Sequence, residues 1–127
     1  MAGKRVLVID DNAVNRRLVQ VLLHSRGYEV AEAASAPEAF AMLTDKPADV
    51  ILMDLRLPGM DGLTATRKLK ADPATRDVPV VAVTSYAMKG DEETAREAGC
   101  CAYVTKPLDK TLFLETVARV LQGQPGT

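Results

Sequence analysis

Asp10 and Asp11, Asp54, Thr84 and Lys106 each follow a short apolar run: Val6-Leu7-Val8-Ile9, Val50-Ile51-Leu52-Met53, Val80-Val81-Ala82-Val83 and Ala102-Tyr103-Val104-Thr105. Three acids, a hydroxyl and an ammonium brought together suit one kind of chemistry. Carboxylates are hard oxygen donors of the sort Mg²⁺ takes, the remaining octahedral positions going to water, a backbone carbonyl and a phosphate. Asp54 arises alone, after the most apolar run, and a carboxylate held beside such a cation can attack phosphorus to form an aspartyl-phosphate. Lys106 would balance charge on the phosphoryl oxygens, and the Thr84 hydroxyl would donate to one of them. Without metal, the acids crowd one another and disfavour ionisation, so the cation is expected to relieve a stability cost. Each residue also has a plain alternative: Asp11 as a helix cap, Asp54 as a cap or turn residue, Thr84 as a strand end, Lys106 as a solvated charge. Taken jointly the alternatives weaken, since four strands would all have to end in complementary groups by accident.

The positioning elements are read from apolar periodicity. Strand-like runs at Arg5–Ile9, Tyr28–Ala33, Val50–Met53, Val78–Val83 and Ala102–Thr105 alternate with helical patterns. The first helix is expected over Asn12–Ser25, with Val14, Leu18, Val21 and Leu22 as its buried face and Gly27 as its stop. Ser35-Ala36-Pro37-Glu38 has the form of a capping box with proline in the first turn, opening a helix to about Leu43. Leu57–Gly62 is a turn feeding a helix over Leu63–Lys70, and Asp109 caps a last helix that turns Phe113, Val117, Val120 and Leu121 inward. The Lys89–Ala98 helix has little beyond Met88, Ala95 and Ala98 to bury. Alternation of this kind predicts an α/β fold with a doubly wound five-stranded parallel sheet, whose right-handed crossovers bury both faces. The less apolar second strand suits an edge, favouring order 2-1-3-4-5, and ligands in such sheets bind at the carboxyl ends of the strands.

With 127 residues the chain is expected to be one domain over residues 1–122 with a flexible tail at 123–127. An apolar fraction of 47%, 26% charged residues and a formal charge of −1, with signs interspersed, favour neither nucleic acid nor an anionic membrane. No apolar run approaches a membrane span and no signal-peptide core opens the chain, so the cytoplasm is expected. Cys100 and Cys101 are adjacent, where a bridge would be badly strained, and read as reduced thiols. His24, the sole histidine, reads as a solvent-facing helix residue.

Asp10-Asp11-Asn12, Leu52-Met53-Asp54 through Gly62, Val83-Thr84-Ser85 and Tyr103-Val104-Thr105-Lys106-Pro107 resemble the motifs of receiver domains of two-component response regulators, with the flavodoxin-like, CheY-like fold of that family. The resemblance runs from about Lys4 to Leu121. A narrower likeness to one single-domain member lies in Asn12–Asn15 and Tyr86–Glu92. The resemblance implies that a histidine kinase or histidine phosphotransfer protein phosphorylates Asp54, with Asp10, Asp11, Asp54 and the Arg56 backbone carbonyl holding Mg²⁺. It implies that Thr84 swings toward the phosphoryl group and Tyr103 moves inward, remodelling a partner-binding face made of Lys89–Ala98, Tyr103 and Asp109–Leu121. It also implies a cis Lys106-Pro107 bond. The chain would then not be an enzyme beyond accepting and slowly losing its own phosphoryl group. Arg56 and Tyr86, two residues beyond Asp54 and Thr84, are expected to overhang the site and hinder an attacking water.

Other readings compete. The chain could be a phosphate relay module of a hybrid kinase, although Met1 just before the first strand and the short tail favour a stand-alone regulator. An aspartyl-nucleophile phosphatase would want an acid where Arg56 stands. A flavin carrier on the same fold would not place Asp10-Asp11 where a phosphate must be cradled.

Overall fold

The computed structural model describes residues 3–85 and 90–123. Five strands, β1 (Arg5–Ile9), β2 (Glu29–Ala33), β3 (Val50–Asp54), β4 (Val80–Thr84) and β5 (Ala102–Thr105), alternate with five helices. These are α1 (Ala13–His24), α2 (Ala36–Asp45), α3 (Gly62–Ala71), α4 (Asp91–Ala98) and α5 (Lys110–Leu121). All strand pairings are parallel and the order is β2-β1-β3-β4-β5, the doubly wound arrangement the alternation implies. The less apolar β2 is indeed an edge.

Successive side chains of a strand point to opposite faces, so each strand feeds two cores. Val6, Val8, Val50, Leu52, Val81 and Val104 meet Val19 and Leu23 of α1 and Phe113, Val117 and Val120 of α5. Leu7, Ile9, Ile51, Met53, Val80 and Ala82 meet Ala36, Ala39, Ala65, Leu69 and Ala95 of α2, α3 and α4. The second core is alanine-rich on its helical side, which lets those helices lie close to the sheet. Cys100 belongs to the second core and Cys101 packs against the first, so the adjacent thiols face opposite sides of the sheet. Burial pushes the Cys100 thiol up to about 11.

Three helix starts follow local chemistry. Ser35 accepts from the Glu38 amide at 3.3 Å, Asp61 from Thr64 at 2.8 Å, and Asp109 from Leu112 at 2.9 Å, each relieving an orphan amide of a first turn. α2 runs two residues past Leu43, and Asp54 is itself the last residue of β3.

The expected inner face of α1 is wrong in part. Val14, Leu18 and Val21 are 76%, 50% and 57% exposed, whereas Val19 and Leu23 are buried and Leu22 is partly so. The apolar arc of this helix is wider than the groove it fills, and Val19-Leu23 and Leu18-Leu22 are both i, i+4 pairs; packing against β1, β2 and α5 selects the first. His24 is exposed. α4 starts at Asp91 behind Gly90, whose φ of 91° suits glycine, and buries only Ala95 and Ala98. Tyr86, Met88, Lys89 and the tail from residue 124 lie outside the described residues. No helix among the described residues is long and apolar enough to cross a membrane.

Candidate functional site

The carboxyl ends of β1, β3, β4 and β5 lie side by side, and with them Asp10, Asp54, Thr84 and Lys106. Backbone bonds tie the ends together: Asp10 N–H donates to Ala33 O at 3.1 Å, Leu55 N–H to Val83 O at 3.1 Å and Lys106 N–H to Thr84 O at 2.8 Å. One carboxylate oxygen from each of Asp10, Asp11 and Asp54 lies within 4.8 Å of the others, a donor set of hard oxygens that fits Mg²⁺. Asp10 and Asp54 are 5% and 6% exposed; Asp11 stands in the open.

Asp10 is held from three sides. Its Oδ1 accepts from the Asn12 amide at 2.9 Å, its Oδ2 from Lys106 Nζ at 2.9 Å, and its carbonyl from Arg16 Nη1 at 2.7 Å. Lys106, far from being a solvated charge, has a nearly buried side chain and also stands 3.6 Å from Asp54 Oδ2. Asp54 Oδ1 accepts from the Arg56 amide at 2.9 Å, a turn contact that leaves its second oxygen toward the acids and the lysine. The Asp11 alternative fails: the cap of α1 is Asn12, whose Oδ1 accepts from Val14 and Asn15, and the Asp11 side chain has no hydrogen bond or ion pair with another described residue.

The Asp54 carboxyl is raised above its usual range, first by burial and further by Asp10, against the lowering pull of the Arg56 amide and of Lys106. Crowding of acids was the expected cause, yet removal from water is the larger one. Thr84 is buried to 1% exposure and lines an open cleft of about 370 Å³ together with Arg56, Leu57, Asp61, Asp91 and Thr94. Arg56 is exposed on its rim; Tyr86, its expected companion, is outside the described residues.

α3 abuts the acceptor strand. A Cβ at Gly62 would overlap the Asp54 carbonyl and sit 2.7 Å from the Leu55 Cα, so only glycine permits this approach. Tyr103 is half-buried against the second core, and its hydroxyl is buried with no hydrogen-bond partner among the described residues. Burial, then Asp91 and Glu92, raise that phenol. The Lys106-Pro107 bond is cis. Arg16 and Glu32, which no sequence motif marks, meet at 3.2 Å beside the acids. Their only signal was an arginine one turn after Asn12 and an acid in an edge strand, and neither marks a contact.

A doubly wound sheet with an acid cluster and a lysine at its switch point belongs to a recognised class: residues 6–118 match the response regulator receiver domain, and the chain is a member of that family. It is 42% identical over 118 residues to the polar-differentiation response regulator DivK of Brucella ovis, covering 93% of this chain and 96% of that one. Vibrio cholerae chemotaxis protein CheY4 superposes with a TM-score of 0.87 at 28% identity, over 94% of this chain and 99% of that one. The receiver domain of the Pseudomonas aeruginosa sensor histidine kinase PA1611 does so with a TM-score of 0.82 at 36% identity, over 99% and 100%. That structure carries a magnesium ion coordinated in its active-site cleft.

Proposed function

We propose that this receiver domain is a phospho-acceptor switch of a two-component phosphorelay, taking a phosphoryl group on Asp54 from a phosphohistidine of a kinase or phosphotransfer protein. One observation carries the reading: Asp54 is a buried carboxylate with two further acids within 4.8 Å of it and Lys106 at 3.6 Å. In the transfer, an Asp54 oxygen bonds to phosphorus as the phosphorus–nitrogen bond breaks, and the departing imidazole keeps the electron pair and takes a proton. Asp10, Asp11, Asp54 and the Arg56 carbonyl would hold Mg²⁺, which supplies positive charge against the incoming phosphoryl oxygens. Lys106 is anchored on Asp10 beside the acceptor, ready to move its charge onto the acyl phosphate. Thr84, lining the cleft next to Asp54, supplies a hydroxyl that the new charge can attract.

The donor's approach is assigned to the β1–α1 turn, which carries Asp11 in the open beside the acceptor. The exposed stripe of Val14, Leu18 and Val21 begins there, and its i, i+4, i+7 spacing suits a helical partner. Output is assigned to the face of α4, Tyr103 and α5. Four of the eight α4 residues are acids, Asp91, Glu92, Glu93 and Glu97, so a basic partner surface fits it. The Tyr103 hydroxyl, buried without a hydrogen-bond partner among the described residues, makes this placement of the ring costly, which supports two arrangements of it rather than one.

With Mg²⁺ and acetyl phosphate the protein should gain one base-labile phosphoryl group, and Asp54→Asn should gain none; undiminished incorporation in that variant sinks the assignment. The likeness to the receiver domain of a sensor histidine kinase at 36% identity favours a second reading, a phosphate relay without output. A beryllofluoride adduct should shift amide signals over residues 90–98 and 102–113 much more than those near Phe40, and less so in Thr84→Ala. Shifts confined to the loops touching Asp54 would favour the relay.

A further inference from the structure

We propose that Arg16 is the positioning residue of the cation site, aiming Asp11 by clamping the peptide unit that joins Asp10 to Asp11. Nothing else among the described residues holds the Asp11 side chain, so its direction depends on the backbone that launches it. The Asp10 carbonyl and the Asp11 amide belong to one planar unit, so a bond to that oxygen restrains the whole unit from which Asp11 is launched. Arg16 Nη1 donates to that oxygen at 2.7 Å, and Asn12, capping α1, fixes the turn on the other side.

The guanidinium is itself anchored. Its Nε donates to Glu32 Oε1 at 3.2 Å, across to the edge strand β2, and the two side chains are only 19% and 33% exposed. Glu32 is the neighbour of Ala33, whose carbonyl takes the Asp10 amide. Arg16 and β2 thus grip both ends of Asp10 from one side. A rigid planar fork can hold a carbonyl and a carboxylate together; a lysine ammonium on a flexible stem can serve either less firmly.

Charge and geometry make opposite predictions, which renders the role testable. A cation beside three acids repels an incoming Mg²⁺, so if only its field mattered, removing Arg16 would tighten binding. Positioning demands the reverse. The inference rests on the cation site proposed above, and the experiment separates the two. Isothermal titration of MgCl₂ into the full chain should show Mg²⁺ binding that Asp11→Ala abolishes. Arg16→Met, which keeps the apolar stem, should raise the dissociation constant about tenfold or more, the usual reach of groups that orient a ligand. Arg16→Lys should fall between parent and Arg16→Met. A parent that binds no Mg²⁺, or Asp11→Ala that binds it normally, overturns the cation site and the inference with it. Normal parent binding with an unchanged or lowered constant in Arg16→Met overturns the positioning role alone. If Arg16→Met does not fold, Arg16→Lys decides: its charge is kept and its fork lost, and a constant equal to the parent's overturns the proposal.

Discussion

At the amino ends of the strands, Lys70 donates to the carbonyls of Arg76 and Val78 at 3.0 and 2.7 Å, and Arg5 to those of Lys46 and Pro47 at 3.0 and 3.2 Å. At the carboxyl ends, Asp10 and Asp54 share one lysine, Lys106, Asp11 stands close by without an ion pair among the described residues, and Arg16 is paired with Glu32. Both ends withdraw charge from water. One end hands its cations to neutral backbone oxygens and, for Arg5, to the Glu29 carboxylate at 3.0 Å, so charge is matched there; the other leaves like charges in excess, a cost that a bound cation would remove. The direction of the pKa shift does not separate them, since burial leads both for Lys70, which is lowered, and for Asp54, which is raised. What separates them is the sign of the neighbours: Asp10 opposes the charge on Asp54, whereas carbonyl oxygens accept from Lys70.

The largest effect expected from this contrast is metal linkage. Mg²⁺ at 100 times its dissociation constant should raise the unfolding free energy by about 2.7 kcal/mol in denaturant titrations. Asp11→Ala should lose that response, and an equal response in this variant would place the cation elsewhere. Somewhat smaller is the effect at the other end. Lys70→Met strands two carbonyls and should cost about 2 kcal/mol of stability, after discounting two charge-assisted bonds for partial exposure. Mg²⁺ affinity should stay at the parent value; a Lys70→Met protein that is stable but binds Mg²⁺ weakly would break the separation of the two ends.

The smallest effect concerns pH. Because the folded-state pKa of Asp54 is raised, the folded chain holds a proton that the unfolded chain releases, between the usual value of 3.8 and the raised one. In that window stability contributed by this group falls as pH rises, the opposite of an ordinary paired acid. In the absence of metal, Asp54→Asn should therefore be more stable than the parent at neutral pH, and its advantage should shrink as pH falls toward 3.8. A constant difference across that range would mean Asp54 carries no such cost.

Glycine at position 62 is part of the same design. Its lack of a side chain lets α3 touch the Asp54 backbone, so the acceptor is braced by neutral contacts while its carboxylate is left electrostatically unfavourable.

Local signals in the sequence were enough for the element order, the edge position of β2 and the shortlist of polar strand ends. Apolar runs bounded by caps and turns specify strands and helices, and alternation with right-handed crossovers aligns the strand ends at one side. Given that alignment, Asp10, Asp54, Thr84 and Lys106 had to be neighbours. Side-chain direction was not available in the same way. Val14, Leu18 and Val21 form as good an apolar stripe as Val19 and Leu23, and only the groove between β1, β2 and α5 chooses which is buried. Cys100 and Cys101 are adjacent in sequence but pack against opposite cores, in the extended segment that leads into β5. Asn12 rather than Asp11 caps α1, and Lys106 pairs with Asp10 across 96 positions of chain. The Arg16–Glu32 bridge between α1 and β2 has no local pattern at all. Periodicity is a property of neighbours along the chain, so it reports which groups arrive at the site; which of them touch depends on distances that exist only once helices and strands have packed.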